Sequence, residues 1–234
     1  IEVREADVET FTVYEESNRE LKEEEKLRLL AKDGVLDIKY SAPRLKLSNL
    51  DLSKTLYVQI PKSDSKNIQL IDIEAVSAGI NIKNITSAQI DIESVSGKIV
   101  LDTLETPICN ISSVSGAIDI LTNKIANLDM KCVSGKAKVA NSEITDFSCE
   151  IVSGDIDFTS TIMPAEIYVD GVSSRVNLKL PENSGFRVDY STVSGEFSSN
   201  FATTAESKGK HTYGDGKVLI KVETISGNLI INKL

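Results

Sequence analysis

The tripeptide Val-Ser-Gly recurs along this 234-residue chain at a fixed interval, and this recurrence constrains the fold more than any other feature. Four copies follow one another at 19-residue spacing, beginning at Val95, Val114, Val133 and Val152. Variants extend the series in both directions, at Val76, Val172, Val193 and Ile225, the last after a gap of 32 residues. A tandem repeat of this length indicates structural units that stack on one another.

Apolar and polar residues alternate on both sides of each Val-Ser-Gly. One apolar pair precedes the tripeptide, as at Ile90 and Ile92, and another follows it, as at Ile99 and Leu101. A period of two is typical of half-buried strands, so each unit predicts two short strands joined by a corner. Stacking parallel units at about 4.8 Å buries a continuous aliphatic column. The sequence therefore predicts an all-β, single-domain β-solenoid with rungs of about 19 residues and irregular β caps at both ends.

We divide this single structural domain into three parts. Residues 1–60 break the period and predict a β-rich N-terminal cap, with Asp33-Gly34 as a hairpin turn between strands at 26–31 and 35–40. For residues 15–26, which are rich in charged side chains, a short solvated helix is the alternative prediction. Residues 61–197 form the repeats. Residues 198–234 begin with a polar, aperiodic stretch that predicts a mobile loop, and the strands after it are expected to cap the C-terminal end.

The glycines of the corners have a structural role in this prediction. A sharp turn with positive φ favours glycine, because a Cβ there costs about 1 kcal/mol. The positions concerned are Gly97, Gly116, Gly135, Gly154, Gly195 and Gly227. The serines beside them can bond to local backbone, and no base lies near them in the pattern, so we assign them no catalytic role.

Composition excludes several classes of function. With a formal net charge of −9 and a pI of about 4.8, the chain lacks the basic patch of a nucleic-acid-binding protein. A single histidine, His211, and three cysteines do not make a zinc site or a His-dependent nucleophile, so we predict no catalytic residues and no cofactor. No apolar run reaches the roughly 20 residues of a transmembrane helix. Cys109 and Cys149 are two rungs apart, too far for a disulfide.

An acidic column is the most regular outward feature of the repeats. Asp72 and Asp91 share one offset, and Glu74 and Glu93 lie two residues further on, on the same outer face. Because stacked like charges repel, these four carboxylates are candidates for a weak Ca²⁺ site. A solvated, aggregation-resistant face is the preferred interpretation, since no loop closes over the column.

The corner motifs and the strand ends resemble a known bacterial family. The relevant segments are the Val-Ser-Gly turns, Ile60-Pro61-Lys62, Leu180-Pro181-Glu182, and the closing Gly-Asp-Gly, strand, Ile-Ser-Gly-Asn, strand pattern. They resemble a domain-of-unknown-function family of β-strand-repeat proteins with Val-Ser-Gly repeats, named as adhesins, over roughly residues 55–234. The resemblance implies a β-solenoid, no established catalytic residues and a link to the cell envelope.

These features predict a non-enzymatic module of the bacterial cell envelope or surface, an adhesin or scaffold. We expect it to bind a protein or a cell-wall polymer through an outer sheet face or an end. A regulatory protein-binding module of an envelope-stress response is the alternative. A polysaccharide-active β-helix enzyme is disfavoured, because bare rungs build no cleft. Because the chain starts at Ile1 rather than Met, we expect an anchoring segment upstream, with a cytoplasmic location as the alternative.

Overall fold

The computed structural model describes residues 1–39, 52–182 and 185–234. These residues form a stack of β rungs, a separate two-stranded hairpin and one 3-10 turn, Glu23–Glu25. The strands in chain order are β1 Glu2–Ala6, β2 Thr12–Ser17, β3 Arg28–Lys32, β4 Val35–Lys39, β5 Lys54–Pro61, β6 Ile68–Ser77, β7 Ile80–Ser96, β8 Ile99–Ser115, β9 Ile118–Leu121, β10 Lys124–Ser160, β11 Glu166–Leu180, β12 Phe186–Ser194, β13 Phe197–Ser199, β14 Thr204–Ser207, β15 Lys210–Tyr213, β16 Val218–Ser226 and β17 Leu229–Lys233.

Successive rungs pair in parallel over most of the stack, which confirms the predicted all-β solenoid. β7 pairs with β8 at a shift of 19 residues, so that Ile82 lies beside Leu101 and Ile92 beside Ile111. The same shift relates β8 to β9 and β10. A period-two strand in this register keeps its apolar side chains facing inward in every rung.

The core is a single layer of aliphatic and aromatic side chains between two facing sheet surfaces. We call face A the surface formed by Ile99–Asp102 and its equivalents, and face B the surface formed by Thr106–Ser115 and its equivalents. Ile82, Leu101 and Ile120 on face A are fully buried. Across the layer, the ring of Phe158 stacks on that of Phe147, with 4.6 Å between the centroids.

A bend with left-handed backbone connects face A to face B in each central rung. The residues at this bend have φ between 51° and 58°, and they are Asn84, Thr103, Thr122 and Asn141. Asn123 supports the bend of the preceding rung: its Oδ1 accepts from Leu104 N at 2.6 Å and its Nδ2 donates to Leu101 O at 3.0 Å. These bonds satisfy backbone groups that the bend removes from the ladder.

The opposite bend is the Val-Ser-Gly corner, where consecutive backbones approach each other closely. Gly97, Gly116, Gly135 and Gly154 have φ between 123° and 144°, as predicted for a turn that favours glycine. A Cβ on Gly116 would overlap the carbonyl oxygen of Gly97 in the preceding rung, and a Cβ on Gly135 would overlap that of Gly116. Glycine is therefore required twice, for its φ and for its lack of a side chain.

The last two corner glycines differ from the prediction in one respect. Gly195 and Gly227 do not have positive φ. They are nevertheless required, because a Cβ on Gly195 would overlap Gly227 O and a Cβ on Gly227 would overlap Ser174 O. Close approach between rungs, rather than a left-handed turn, explains these two glycines.

The C-terminal end of the stack departs from chain order and corrects the predicted cap. β16 and β17 lie inside the stack, between the rung of β11 and the rung of β12 and β13. Ile220 and Leu229 are fully buried there. Four inward-facing apolar residues in these strands, Ile220, Val222, Leu229 and Ile231, explain the insertion, because a rung between two neighbours buries both of its edges.

The segment predicted as a mobile loop supplies the outermost strands instead. β14 and β15 form an antiparallel pair around Gly209, and β15 pairs antiparallel with β12. His211 in β15 stacks on Phe197, with 4.3 Å between ring centroids. Polar composition hid these strands, since an outer strand with one solvated face needs few apolar residues.

The N-terminal end is also built by insertion. β1 lies between β5 and β7 and pairs in parallel with both, while β2 pairs antiparallel with β5. The predicted hairpin is present as β3 and β4, with Asp33 and Gly34 at positive φ, and Tyr40 lies outside the described residues. The helix alternative for 15–26 is wrong, since β2 ends at Ser17 and the rest contains the 3-10 turn Glu23–Glu25.

A buried carboxylate organises the segment after β2. Glu25 is 4% exposed, and both guanidinium nitrogens of Arg19 donate to it at 2.8 Å. The backbone N of Lys22 also donates to Glu25, at 3.0 Å. These bonds favour the ionised form, with the Arg19 bond contributing most, and lower the pKa of Glu25 to about 2.

Replacing a corner glycine is predicted to destabilise the protein far more than replacing its serine. Gly116→Val places a branched side chain against Gly97 O at a positive φ, so we expect the melting temperature to fall by at least about 5 °C. Ser115→Ala removes one bond from Ser115 Oγ to Val95 O at 3.3 Å, so we expect a fall of about 2 °C or less. Thermal unfolding followed by circular dichroism measures both. Equal effects would contradict the role of the corner.

Glu25→Gln is predicted to destabilise the protein in a pH-dependent way. The folded-state pKa of Glu25, about 2, lies below its ordinary value of 4.5. Its contribution is therefore fully present above about pH 4.5 and is lost as the pH falls toward 2. We expect the gap in melting temperature between wild type and variant to be widest at pH 7 and to close near pH 2. Glu23→Gln, at a side chain 89% exposed, is the control. A gap independent of pH would refute the assignment.

Candidate interaction surface

A row of exposed aliphatic side chains runs along the whole stack at the corner. The valine of every Val-Ser-Gly copy points into solvent, with exposures between 44% and 85%. We call this row the valine ridge. In stacking order it consists of Val76, Val95, Val114, Val133, Val152, Val172, Ile225 and Val193. Isolated exposed valines are ordinary, whereas a continuous apolar row marks an interaction surface.

The period of the strands explains why these valines are exposed. In β7, Ile90 and Ile92 face inward, so Asp91, Glu93 and Val95 face outward. Sequence reasoning treated Val-Ser-Gly as turn chemistry and missed the ridge. The valine lies an odd number of residues from the inward isoleucines, and in a strand this places it on the outer face; this spacing would have identified the ridge.

Serine hydroxyls hold the ridge in a fixed spacing. Ser96 Oγ donates to Val76 O at 3.1 Å, and Ser115 and Ser134 donate to Val95 O and Val114 O at 3.3 Å. Each bond joins a corner to the valine carbonyl of the preceding rung. The ridge is therefore anchored to the rigid part of the solenoid, and its side chains repeat at the rung spacing of about 4.8 Å.

Charged columns flank the ridge on both sides. The column two residues before the ridge, in stacking order, contains Glu74, Glu93, Ser112, Lys131, Glu150, Asp170, Glu223 and Ser191. The column three residues after it contains Gly79, Lys98, Ala117, Lys136, Asp155, Arg175, Asn228 and Glu196. At the centre of the ridge, the rung of Val133 carries a lysine on each side and the rung of Val152 an acid on each side.

Three of the four central charges, Lys131, Glu150 and Lys136, form ion pairs within the chain. Lys131 Nζ lies 3.4 Å from Glu150 Oε1, and both side chains are more than half exposed. Lys136 Nζ lies 2.6 Å from Asp157 Oδ2, and this bond raises the pKa of Lys136 and lowers that of Asp157. Lys131, Lys136 and Glu150 are exposed beside the ridge, whereas Asp157 lies further from it, on face A.

Two shallow grooves lie on the outside of the stack. One, of about 450 Å³, follows the C-terminal half of the corner and is lined by Gly154, Asp155, Ser173, Arg175 and Asn228, among others. The second, of about 490 Å³, follows the left-handed bend and includes Thr103, Thr122 and Lys124. Both grooves lie beside the turns; the first is lined mainly by polar groups, and the second also by the apolar side chains of Ile85 and Leu104.

The acidic column lies where the sequence predicts it, and one of its members, Asp91, bonds to amide side chains. Asp72 lies beside Asp91, and Glu74 beside Glu93, in the register of the adjacent strands β6 and β7. Asp91 accepts from Gln89 Nε2 at 2.7 Å and from Asn110 Nδ2 at 2.8 Å. Within the ranges that the structure describes, no three His, Cys, Asp or Glu side chains come together to hold a metal ion. The structure therefore brings no further metal ligand to the candidate Ca²⁺ site among the described residues.

All three cysteines are buried free thiols. Burial raises the pKa of Cys109 to about 12. Cys132 and Cys149 are hydrogen-bonded to each other. This bond, together with burial, raises the pKa of Cys149, and the same bond lowers the pKa of Cys132 against the opposing effect of burial. Sequence reasoning considered only Cys109 and Cys149 as a pair, and these lie two rungs apart. It missed the pair of Cys132 and Cys149, which contact each other diagonally between adjacent rungs.

Among the described residues, no helix is long and apolar enough to span a membrane. No curated protein matches this chain. One solved structure that matches is described as a "putative cell adhesion protein" from Clostridium sporogenes. It is 12% identical, with 100% of this chain and 87% of that chain covered, and the TM-score is 0.31, which supports no further inference.

The model of one protein family matches residues 1–232, nearly the whole chain. That family is described as Toastrack DUF4097. The match agrees with the repeat of Val-Ser-Gly corners and with the stacked β rungs described above, and it confirms the resemblance found in the sequence. The chain therefore belongs to the Toastrack DUF4097 family, a family of unknown function.

Proposed function

We propose that this chain is a non-enzymatic binding or scaffold module of the bacterial cell envelope, which contacts a protein or a cell-wall polymer through its outer surface. The observation that carries this proposal is the valine ridge, an apolar row that continues through eight rungs. Exposed apolar surface of this extent, bordered by charged columns, is typical of an interaction site. We place the contact at this corner of the solenoid.

The filled interior supports the same proposal. The core residues of both faces, such as Ile82, Ile92 and Leu101, are at most 1% exposed. A single layer of side chains between the faces leaves no space for an internal ligand. The module therefore works by contact, and the rigid rungs present the ridge without a change of fold.

The repeat also suits a partner that is itself long. The ridge presents a β-branched aliphatic side chain at each rung, so successive rungs offer similar contacts to an extended protein surface or polymer. Weak equivalent contacts along one molecule add up to firm binding through multivalency. We therefore expect binding to depend on the ridge as a whole more than on any single valine.

A binding survey of the purified chain tests this function. Intact bacterial cell walls, isolated peptidoglycan and teichoic acids are incubated with the protein, with and without Ca²⁺, and bound protein is quantified after sedimentation. We expect saturable binding to at least one of these fractions. Dependence on Ca²⁺ would promote the column of Asp72, Glu74, Asp91 and Glu93 to a candidate metal site.

A ridge variant and a matched control locate the contact. Val133→Lys with Val152→Lys places two charges in the middle of the ridge, at side chains each 48% exposed. Leu70→Lys with Ile108→Lys adds the same charge at exposed residues of face B away from the ridge. We expect the ridge variant to bind at least about tenfold more weakly and the control to bind like the wild type. Equal binding by all three proteins would refute the ridge as the contact.

A further inference from the structure

We propose that the partner of the valine ridge is a second copy of this chain, in a symmetric pair whose two ridges run antiparallel. The two-fold axis passes between the rungs of Val133 and Val152. This inference deepens the proposed function and rests on the ridge being a contact surface. Apolar continuity, repeat spacing and charge order each point to it.

The spacing of the ridge favours a partner with the same repeat. The valines recur at about 4.8 Å, the distance between hydrogen-bonded strands. A helix repeats its surface at a different interval, so its side chains would lose register with the ridge after a few contacts. A second ridge has the same interval over its whole length, and branched side chains can interdigitate along it.

The antiparallel arrangement gives every ridge residue a partner. With the axis between Val133 and Val152, these two residues face each other's counterparts across the axis. Moving outward, Val114 faces Val172, Val95 faces Ile225, and Val76 faces Val193 of the other copy. The ridge has four members on each side of the axis, so it pairs with itself without overhang.

The flanking charges select this arrangement. Antiparallel pairing brings each column against the same column of the other copy. Lys131 then faces Glu150 of the second copy, and Lys136 faces Asp155. By symmetry each contact occurs twice, which makes four opposite-charge pairs around the axis. The four side chains lie beside the ridge on the two central rungs, and the contacts across the axis add to or replace the ion pairs that Lys131, Glu150 and Lys136 make within their own chain. Further from the axis, Glu93 faces Glu223 of the second copy twice, so opposite-charge pairs exceed like-charge pairs by four to two.

The parallel alternative brings like charges together. A two-fold axis along the ridge would place the column before one ridge against the column after the other. Lys131 would then face Lys136, and Glu150 would face Asp155, at the same level of the stack. Like charges across an interface oppose association and suppress the wrong pairing. The parallel pair also brings opposite charges together, Glu93 with Lys98 and Asp170 with Arg175, so its four like-charge contacts are matched by four opposite-charge contacts. Opposite-charge contacts are in excess only in the antiparallel pair, and the flanking columns therefore favour that direction.

The contact area is at the lower limit for a specific interface. Eight rungs at about 4.8 Å extend about 34 Å, and the ridge with its two flanking columns is about 15 Å wide. Pairing two copies covers on the order of 1,000 Å² in total. This area predicts a reversible dimer that is sensitive to protein concentration and to salt.

Sedimentation velocity of the full chain tests the dimer over a range from about 1 to about 500 µM. We expect the wild type to shift from monomer to dimer as concentration rises, and no larger species to form. Val133→Lys with Val152→Lys is expected to raise the dissociation constant at least about tenfold, whereas Leu70→Lys with Ile108→Lys leaves it unchanged. Circular dichroism and thermal unfolding confirm that both variants are folded. A wild type that stays monomeric throughout, or a control as impaired as the ridge variant, would overturn the proposal.

Exchange of charges between two variants tests the antiparallel direction. Lys131→Glu and Glu150→Lys each place like charges across the axis, so each variant alone is expected to dimerise at least about fivefold more weakly than the wild type. In a one-to-one mixture, the introduced glutamate of one variant faces the introduced lysine of the other, so the mixture is expected to dimerise better than either variant alone. A mixture no better than its components would overturn the antiparallel pairing, since a parallel dimer puts these side chains on different partners.

The two proposals fail in different experiments. If the wild type is monomeric while the ridge variant loses binding to the envelope fractions, self-association is refuted and the proposed function stands. If the wild type dimerises through the ridge while both variants keep their binding, self-association stands and the ridge is refuted as the envelope contact.

Discussion

The close approach of backbone to backbone at the Val-Ser-Gly corner is the contact on which the rest of this structure depends. The carbonyl oxygen of Gly97 occupies the space that a Cβ on Gly116 would need, and the same relation continues to Gly135 and Gly154. Glycine occupies this position in six of the eight rungs, with Ala78 and Ser174 in the other two, and it lets those rungs stack at about 4.8 Å through so sharp a turn. The stacking in turn aligns the inward isoleucines into a core and the outward valines into a ridge.

Much of the fold could be predicted, because the repeat determines both register and parity. The 19-residue interval identifies the rungs, and the isoleucine pairs identify the faces. Chain order misled the prediction at the ends, where β16 and β17 enter the stack between β11 and β12, because local pattern does not specify which edge a rung joins. The left-handed bends at Thr103 and Thr122 were also not predictable, since β-branched residues rarely adopt positive φ, and here bonds from Asn123 hold the bend of the preceding rung.

The candidate surface was only partly predictable, and for a related reason. The acidic column at Asp72 and Asp91 follows from parity alone and lies where it was expected. The ridge follows from the same alternation of inward and outward residues. It was missed because the Val-Ser-Gly motif was explained by the turn that its glycine makes, and the exposure of its valine was not considered. The contact between Cys132 and Cys149 required diagonal geometry between adjacent rungs, which counting whole repeats does not supply.

An exposed apolar row of eight residues can cause open-ended association. The charged columns beside the row limit this association. A ridge that paired equally well in any direction or register would support sheets of molecules. The lysines beside Val133 and the acids beside Val152 favour one direction and one register, and a two-fold pair then closes on itself. Self-association of this kind covers the ridge and leaves the outer surface of face A and both ends of the stack open to other molecules. Because the ridge is also the proposed envelope contact, self-association and envelope binding compete for the same residues, and a reversible pair releases the ridge to the partner present at the higher effective concentration.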